Sequence, residues 1–424
     1  MQNKPIQSVK KFYFLDYFYV LLKSVEKYSK YENIFNNFKI LKQEKGLGES
    51  KYKKLTTEKD DLSKVQLDRY KYTFGQVIDE SLNYNLIKQY ENQYIELTNR
   101  GQNILKLYEN NGSRQFDLEI LKLMESNYNA FRKILSLLYQ SNKYRPGLLV
   151  FPIYSPRLLG FNRSDVKTSH DIIKYSIALQ KKIEKDVYKY IGKDVNLEEV
   201  NLKIIKKLVE SGLLSENPKI EFDPKKYNAI TKRFRDFWIN YFLHEFYHYD
   251  HSMSSFDLWI YRGKQLGIFH ATEFFPNLNG RMVFPTSIVS KKVYSKDFKK
   301  VFTYDDDENL FLHEPAWDSI QENFVDLLVD AYFELRKSYR SYFINLASLR
   351  EVVCYKMKIS ELTFGEYLSE AYKLNLNGEL KIKISLEVDK LPEETKATYL
   401  KQEPVMIDGK YRNIIAIDVT NTRG

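Results

Sequence analysis

The stretch Leu86–Leu105, LIKQYENQYIELTNRGQNIL, limits what this chain can fold into more than any other. Two short apolar runs flank a polar tip at Glu91, Asn92 and Gln93, which reads as a hairpin of two short strands. A helix follows the second run at once, with Thr98 placed to cap it. A lone hairpin is marginal in water, so this one needs helices to pack on. Upstream, DDLSKVQLDRY and FGQVIDESLNYN read as two helical stretches. The order over residues 50–112 is therefore helix, helix, hairpin, helix.

That order returns weakly along the chain. From about 114 to 192, FDLEILKLMESNYNAFRKILSLLYQSN is helical and GLLVFPIY is strand-like. Then SPRLLGFNRSDVKTSHDIIKYSIALQKKIEK has helix-turn-helix character, with Ser164 and Thr168 or Ser169 as caps. Residues 193–222 add a helix and a short strand. Between about 224 and 295, a long helix from Lys225 to about Tyr249 leads into SMSSFDLWIYRGKQLGIFHATEFF, a polar PNLNG tip and the strand RMVFPTSIV. The last part opens with an amphipathic helix whose Trp317, Ile320, Phe324, Leu327, Leu328, Ala331 and Leu335 form one stripe. A helix pair joined near Ile359 follows, with Ser360 capping its second member, and then two strands, GELKIKISLEV and GKYRNIIAIDV. The expected fold is mainly α with short β-hairpins, in several winged-helix-like units in tandem. The expected division is 1–112 (N-terminal helix plus a winged-helix-like unit), 113–222 (helical, with helix-turn-helix character), 223–300 and 314–424 (both winged-helix-like).

A chain of 424 residues, 43% of them hydrophobic, has material for several cores. Its formal charge of +10 favours an anionic partner, nucleic acid before a lipid surface. The single cysteine, Cys354, excludes a disulfide framework, a cysteine-based zinc ribbon and an iron–sulfur centre, and fits a reducing cytoplasm. KKFYFLDYFYVLLKS begins like a signal peptide, but Asp16 interrupts the run and no small-residue cleavage site follows. It is too short to span a bilayer and reads as an aromatic-rich first helix. No Walker-type loop or G-x-G-x-x-G occurs.

Three segments, YIELTNRGQNIL, FDLWIYRGKQLGIF…GRMVFPTSIV and residues 346–419, resemble tandem winged-helix DNA-binding proteins of bacteria. In organisation the chain is similar to the specificity regions of some type IIS restriction and nicking enzymes. The resemblance implies modules that read duplex DNA, the second helix of each pair entering the major groove while the wing touches phosphate or minor groove. Lys and Arg then hold phosphates and a few polar side chains read base edges. It assigns this role to Arg69, Lys71, Tyr72 and Thr73 near the start of the first such helix, and to Arg163, Lys167 and His170 in the second unit. In the last unit it assigns Lys356, Lys358 and Thr363 around the turn, and Lys381 and Lys383 on the first wing strand. Duplex DNA and partner protein subunits are the implied partners, in a bacterial defence, restriction or mobile-element system. No membrane and no cofactor is expected, and a partner supplies any catalysis. The competing reading is a winged-helix scaffold that binds proteins and not DNA.

A reading of another class comes from Tyr241–Ser252, YFLHEFYHYDHS, in which His244, Glu245 and His248 follow the H-E-x-x-H order of zinc peptidases. On an α-helix the two imidazoles stand one turn apart and face one zinc ion, while the glutamate polarises the attacking water. The preceding residues lack Gly and Pro and read as helical, so His244 and His248 share a face. A third ligand is not placed. The metzincin pattern wants Gly at 251 and His at 254, where this chain has His251 and Ser254, and neither Glu273 nor Glu322 is well set for a gluzincin. The alternative to a zinc-dependent hydrolase is an aromatic helix in which Phe234, Trp238, Tyr241, Phe242 and Phe246 pack a core, the histidines lying at its edge.

Overall fold

In the computed structural model, the described residues are 12–45, 64–111, 113–139, 148–152, 166–190, 196–217, 219–221, 223–273, 275–276, 280–286, 303–304, 310–311, 317–338, 341–388, 405–407 and 410–419. They form thirteen α-helices and twelve short strands, and every strand pair is antiparallel. The fold is mainly α with short hairpins. The chain divides into two compact units, residues 1–134 with 254–266 and residues 135–253 with 267–424.

In the first unit the aromatic N-terminal run becomes α1 (Asp16–Lys27), buried almost continuously from Tyr17 to Val25. Around it stand α2 (Tyr31–Glu44), α3 (Lys64–Asn83), the hairpin β1 (Ile87–Gln89) and β2 (Ile95–Leu97), and α4 (Asn99–Asn111). α5 (Ser113–Asn127) packs on α4, and α6 (Asn129–Tyr139) follows. The Ile95 N–H donates to the Ser29 carbonyl at 2.8 Å, and Lys30 bridges Tyr94. The α1–α2 link thus acts as a further strand, with β2 between it and β1.

α3 corrects one expectation, because the two helical stretches about Thr73 are a single helix. Gly75 does not break it: a Cβ there meets nothing within 4 Å. Phe74, Val77 and Ile78 carry the buried stripe across the position. Residues 60–63 of the first stretch lie outside the described residues.

The second unit holds β3 (Leu149–Pro152), α7 (Ser169–Tyr190), α8 (Leu197–Glu210) and α9 (Tyr227–Asn240). Thr168 caps α7 and exchanges hydrogen bonds with Asp171, a reciprocal cap. Of the helix-turn-helix expected over residues 155–185, residues 155–165 lie outside the described residues, and the remainder is the start and body of the single helix α7. α10 (Met253–Gln265) comes next in the chain, yet residues 254–266 belong to the first unit. There Trp259 packs on Tyr128 and Phe131, with ring centroids 4.6 and 5.3 Å away.

The chain returns with β4 (Phe269–Thr272) and β5 (Gly280–Pro285), which form a sheet in the order β3–β5–β4. After the small hairpin β6 (Thr303–Tyr304) and β7 (Leu310–Phe311) come α11 (Trp317–Arg336), β8 (Ile344–Asn345), α12 (Leu346–Met357), α13 (Glu361–Leu376) and β9 (Ile382–Glu387). A hairpin, β10 (Val405–Ile407) and β11 (Lys410–Arg412), precedes β12 (Ile414–Val419), and the sheet order is β8–β12–β9. Ser360 caps α13, accepting from the Thr363 N–H at 3.1 Å. Phe324, Leu328, Ala331 and Leu335 of α11 are buried in one core with residues of α12, α13, β9 and β12; the side chains of Trp317 and Ile320 lie outside the described residues. In all three places the last strand in sequence lies between the other two. Among the described residues, no helix is long and apolar enough to cross a membrane.

Candidate nucleic-acid interface

α3 is fixed by its inner face. Phe74 meets the rings of Tyr31, Phe35 and Phe38, each with centroids 5.2 Å away. Opposite that face, helical spacing brings Arg69, Tyr72, Gln76 and Asn83 into one stripe. Arg69 and Asn83 are exposed, Tyr72 is 56% exposed, and Gln76 is half-buried. Lys71 is exposed on the flank of α3 between the stripe and the buried face, and Thr73 is half-buried. The stripe combines a cation for phosphate with an aromatic face and amides of the kind that read base edges. Asp79, half-buried, is the acidic residue closest to its line. The β1–β2 hairpin offers exposed Lys88, Gln89, Asn92 and Gln93, and the Tyr90 hydroxyl donates to Glu96 at 3.1 Å.

The other expected residues are less uniform. Arg163 lies outside the described residues, whereas Lys167 and His170 are exposed at the start of α7. Asp171 beside them is held below the usual carboxylate range by the N–H groups of Thr168 and Lys167. Lys356 is exposed but paired with Glu334 at 2.5 Å, and Thr363 is committed to the α13 cap. Lys381 and Lys383 are exposed, Lys383 on β9 and Lys381 one residue before it.

Lys358 lies in a setting the sequence does not announce. It ends α12 in the left-handed region, φ 56°, with its ammonium 3.5 Å from the Tyr355 ring centroid and 4.9 Å from that of Phe284. Burial pushes its pKa down to about 7. A half-buried amine folded over two rings is less open to a phosphate than the exposed Lys381 and Lys383. In the unfolded chain it titrates near the ordinary lysine value, so between about 7 and 10.5 the unfolded state binds more protons. Stability from this group therefore rises with pH across that window, and the cost of the charged form is fully present below about 7. Lys358→Met is expected to raise the melting temperature at neutral pH and to flatten the slope of stability against pH, measured beside the parent chain.

The H-E-x-x-H segment is not α-helical. α9 ends at Asn240, and Tyr241–Phe246 form a π-helical turn. His248 takes φ 53°. The condition that His244 and His248 stand one α-turn apart on one face is therefore not met, which corrects the expected helical geometry. His244, Glu245 and His248 are all exposed. His244 Nδ1 lies 2.7 Å from the Tyr249 carbonyl; a carbonyl only accepts, so Nδ1 carries the proton and ties off the turn. Among the described residues, no group of three or more His, Cys, Asp or Glu is arranged to hold a metal ion.

What the wide turn does is aim Tyr247 at β3. The Tyr247 hydroxyl accepts from the Val150 N–H at 2.7 Å and donates to the Val150 carbonyl at 3.0 Å. One side chain thus supplies both bonds that a neighbouring strand would give. Tyr247→Phe should cost roughly 1–2 kcal/mol, since it strands a backbone donor and acceptor. The loss is to be read in urea denaturation and in faster amide exchange at Val150.

Two buried clusters escape a reading of the sequence. In the second unit His270 Nε2 lies 2.5 Å from Glu351 Oε2, and Arg350 donates to the other oxygen at 2.7 Å, which ties β4 to α12. In the first unit Arg262 and Glu80 form a fully buried pair at 2.7 Å. Their only signal is a polar or charged residue on an otherwise apolar helix face or, for His270, in the strand β4. No family model matches this chain, and neither a curated protein nor a solved structure matches it.

Proposed function

We propose that the chain is a DNA-binding protein of tandem winged-helix modules, in which α3 of the first unit reads the duplex. It acts with partner subunits, in a bacterial defence, restriction or mobile-element setting. The observation that carries the reading is the order helix, bridge, helix, helix, hairpin around α3, with the last strand central. The order matches that of a winged helix, in which the helix corresponding to α3 enters the major groove, and this supports the reading. The polar stripe on α3 and the net charge of +10 support the same reading.

Fluorescence anisotropy with a labelled duplex tests it. Affinity is expected to fall steeply with salt, because phosphate contacts release counterions. Arg69→Glu combined with Lys71→Glu should weaken binding at least ~10-fold and reduce the salt slope by roughly 1–2, about one for each phosphate no longer held. Absence of binding at low salt, or equal binding by the variant, overturns the assignment of α3. The zinc-hydrolase alternative has no comparable support, since its two imidazoles stand on a π-turn and a left-handed residue.

A further inference from the structure

α13 holds in the C-terminal sheet the place that α3 holds in the first unit, yet its outer face has the opposite chemistry. Its inner side, with Phe364, Tyr367, Leu368 and Ala371, is buried. Outward, one exposed side chain per turn gives Leu362, Glu366, Glu370, Lys373 and Leu376, a single stripe at helical spacing. Leu362 is 53% exposed and Leu376 is 65% exposed, although the helix already fills its core without them. Between the two leucines stand Glu366, Glu370 and Lys373, a net acidic set, and the charge of the two glutamates adds to burial in raising the Tyr367 phenol.

A phosphate backbone is repelled by such a stripe. In a chain of net charge +10, a helix face with two carboxylates one turn apart and a single lysine, bracketed by leucines, is complementary to a cationic, partly apolar surface. The stripe runs along about four turns, roughly 21 Å at 1.5 Å per residue, the reach of one helix laid along another.

We propose that α13 is a protein-docking helix and that its partner is a basic amphipathic helix. Two Lys or Arg side chains one turn apart face Glu366 and Glu370, and apolar side chains at either end cover Leu362 and Leu376. The charges set register and encounter rate, while the leucines supply the apolar contact. This inference rests on the C-terminal module alone and does not depend on DNA reading by α3.

The test is selection of a helical peptide library on the full chain, with the Glu366→Lys/Glu370→Lys chain as counter-selection. All the altered positions are exposed, and circular dichroism checks that each variant keeps its fold. Selected peptides are expected to carry basic residues one turn apart on the same face as apolar ones. They should bind at least ~10-fold more weakly to the charge-reversed chain and to Leu362→Ser/Leu376→Ser, because charge complementarity or apolar cover is then missing. Duplex DNA affinity should not fall in either variant, which separates this surface from α3. The proposal is overturned by no enrichment over the counter-selection, equal binding to both chains, or enrichment of acidic peptides. Self-association of the parent chain that disappears on charge reversal also overturns it, by making a second copy the occupant.

Discussion

Arg262→Ala is expected to remove roughly 3–5 kcal/mol from the stability of the first unit, the range found when one partner of a buried ion pair is deleted. The guanidinium is fully buried. It donates to both oxygens of Glu80, at 2.7 and 2.9 Å, and to the Phe12 carbonyl at 2.9 Å. It also lies over the rings of Phe12 and Trp259, 4.5 and 5.1 Å from their centroids. Truncation leaves the Glu80 carboxylate in the core with the Tyr84 hydroxyl, at 2.9 Å, as its remaining donor among these groups. Replacing both members with apolar residues, Glu80→Leu with Arg262→Met, should be far milder, because no charge is then left behind. Urea denaturation measures the loss, and amide exchange locates it in α3 and α10. Because the pair is out of water, added salt should change neither result much.

The pair also shows where a sequence stops being legible. Local features could be read: the hairpin about Asn92, the Thr98 and Ser360 caps, and the aromatic first helix follow from spacing within a few residues. Arg262 sits in RGKQ, which reads as an ordinary basic helix end, and its partner is 182 positions away. Nothing in the periodicity of α10 says that residues 254–266 join the first unit while their neighbours on both sides join the second. The π-turn at Tyr241–Phe246 is hidden for a related reason. Its residues suit an α-helix, and the wider turn is accompanied by the reach of Tyr247 to Val150, across 97 positions. Lys358 reads as one more basic residue beside a turn until Phe284, on β5, covers it. At the candidate interface, helix on either side of Thr73 is legible, and so is the exposure of Arg69, Lys71 and Tyr72. That Gly75 would be passed through rather than end a helix is not, because open space beside a glycine is a tertiary fact.

Gly101→Ala should cost about 3 kcal/mol, the upper end of what overpacking usually costs. Thr98 caps α4 by accepting the Gly101 N–H at 3.0 Å, and the Thr98 N–H donates to the Leu86 carbonyl at 3.0 Å. This draws the first turn of α4 onto the base of the hairpin. A Cβ on Gly101 would lie 2.0 Å from Leu86 O and 3.0 Å from its carbonyl carbon. Both are backbone atoms, so no side chain can swing aside. Relief requires pulling α4 away from Leu86, which breaks the Thr98 bond and loosens the hairpin. Leu86 is also held to the end of α3, its N–H donating to the Ser81 carbonyl at 2.9 Å. The disturbance therefore reaches the helix proposed to read DNA, and a folded variant should bind duplex more weakly than the parent. Helix propensity works in the other direction, favouring alanine over glycine by about 1 kcal/mol. Gly75→Ala isolates that effect, because a Cβ there meets nothing within 4 Å, and it should raise the melting temperature. If Gly101→Ala also raises it, the close approach of α4 to Leu86 does not hold, and the tie between hairpin and helix has to be redrawn.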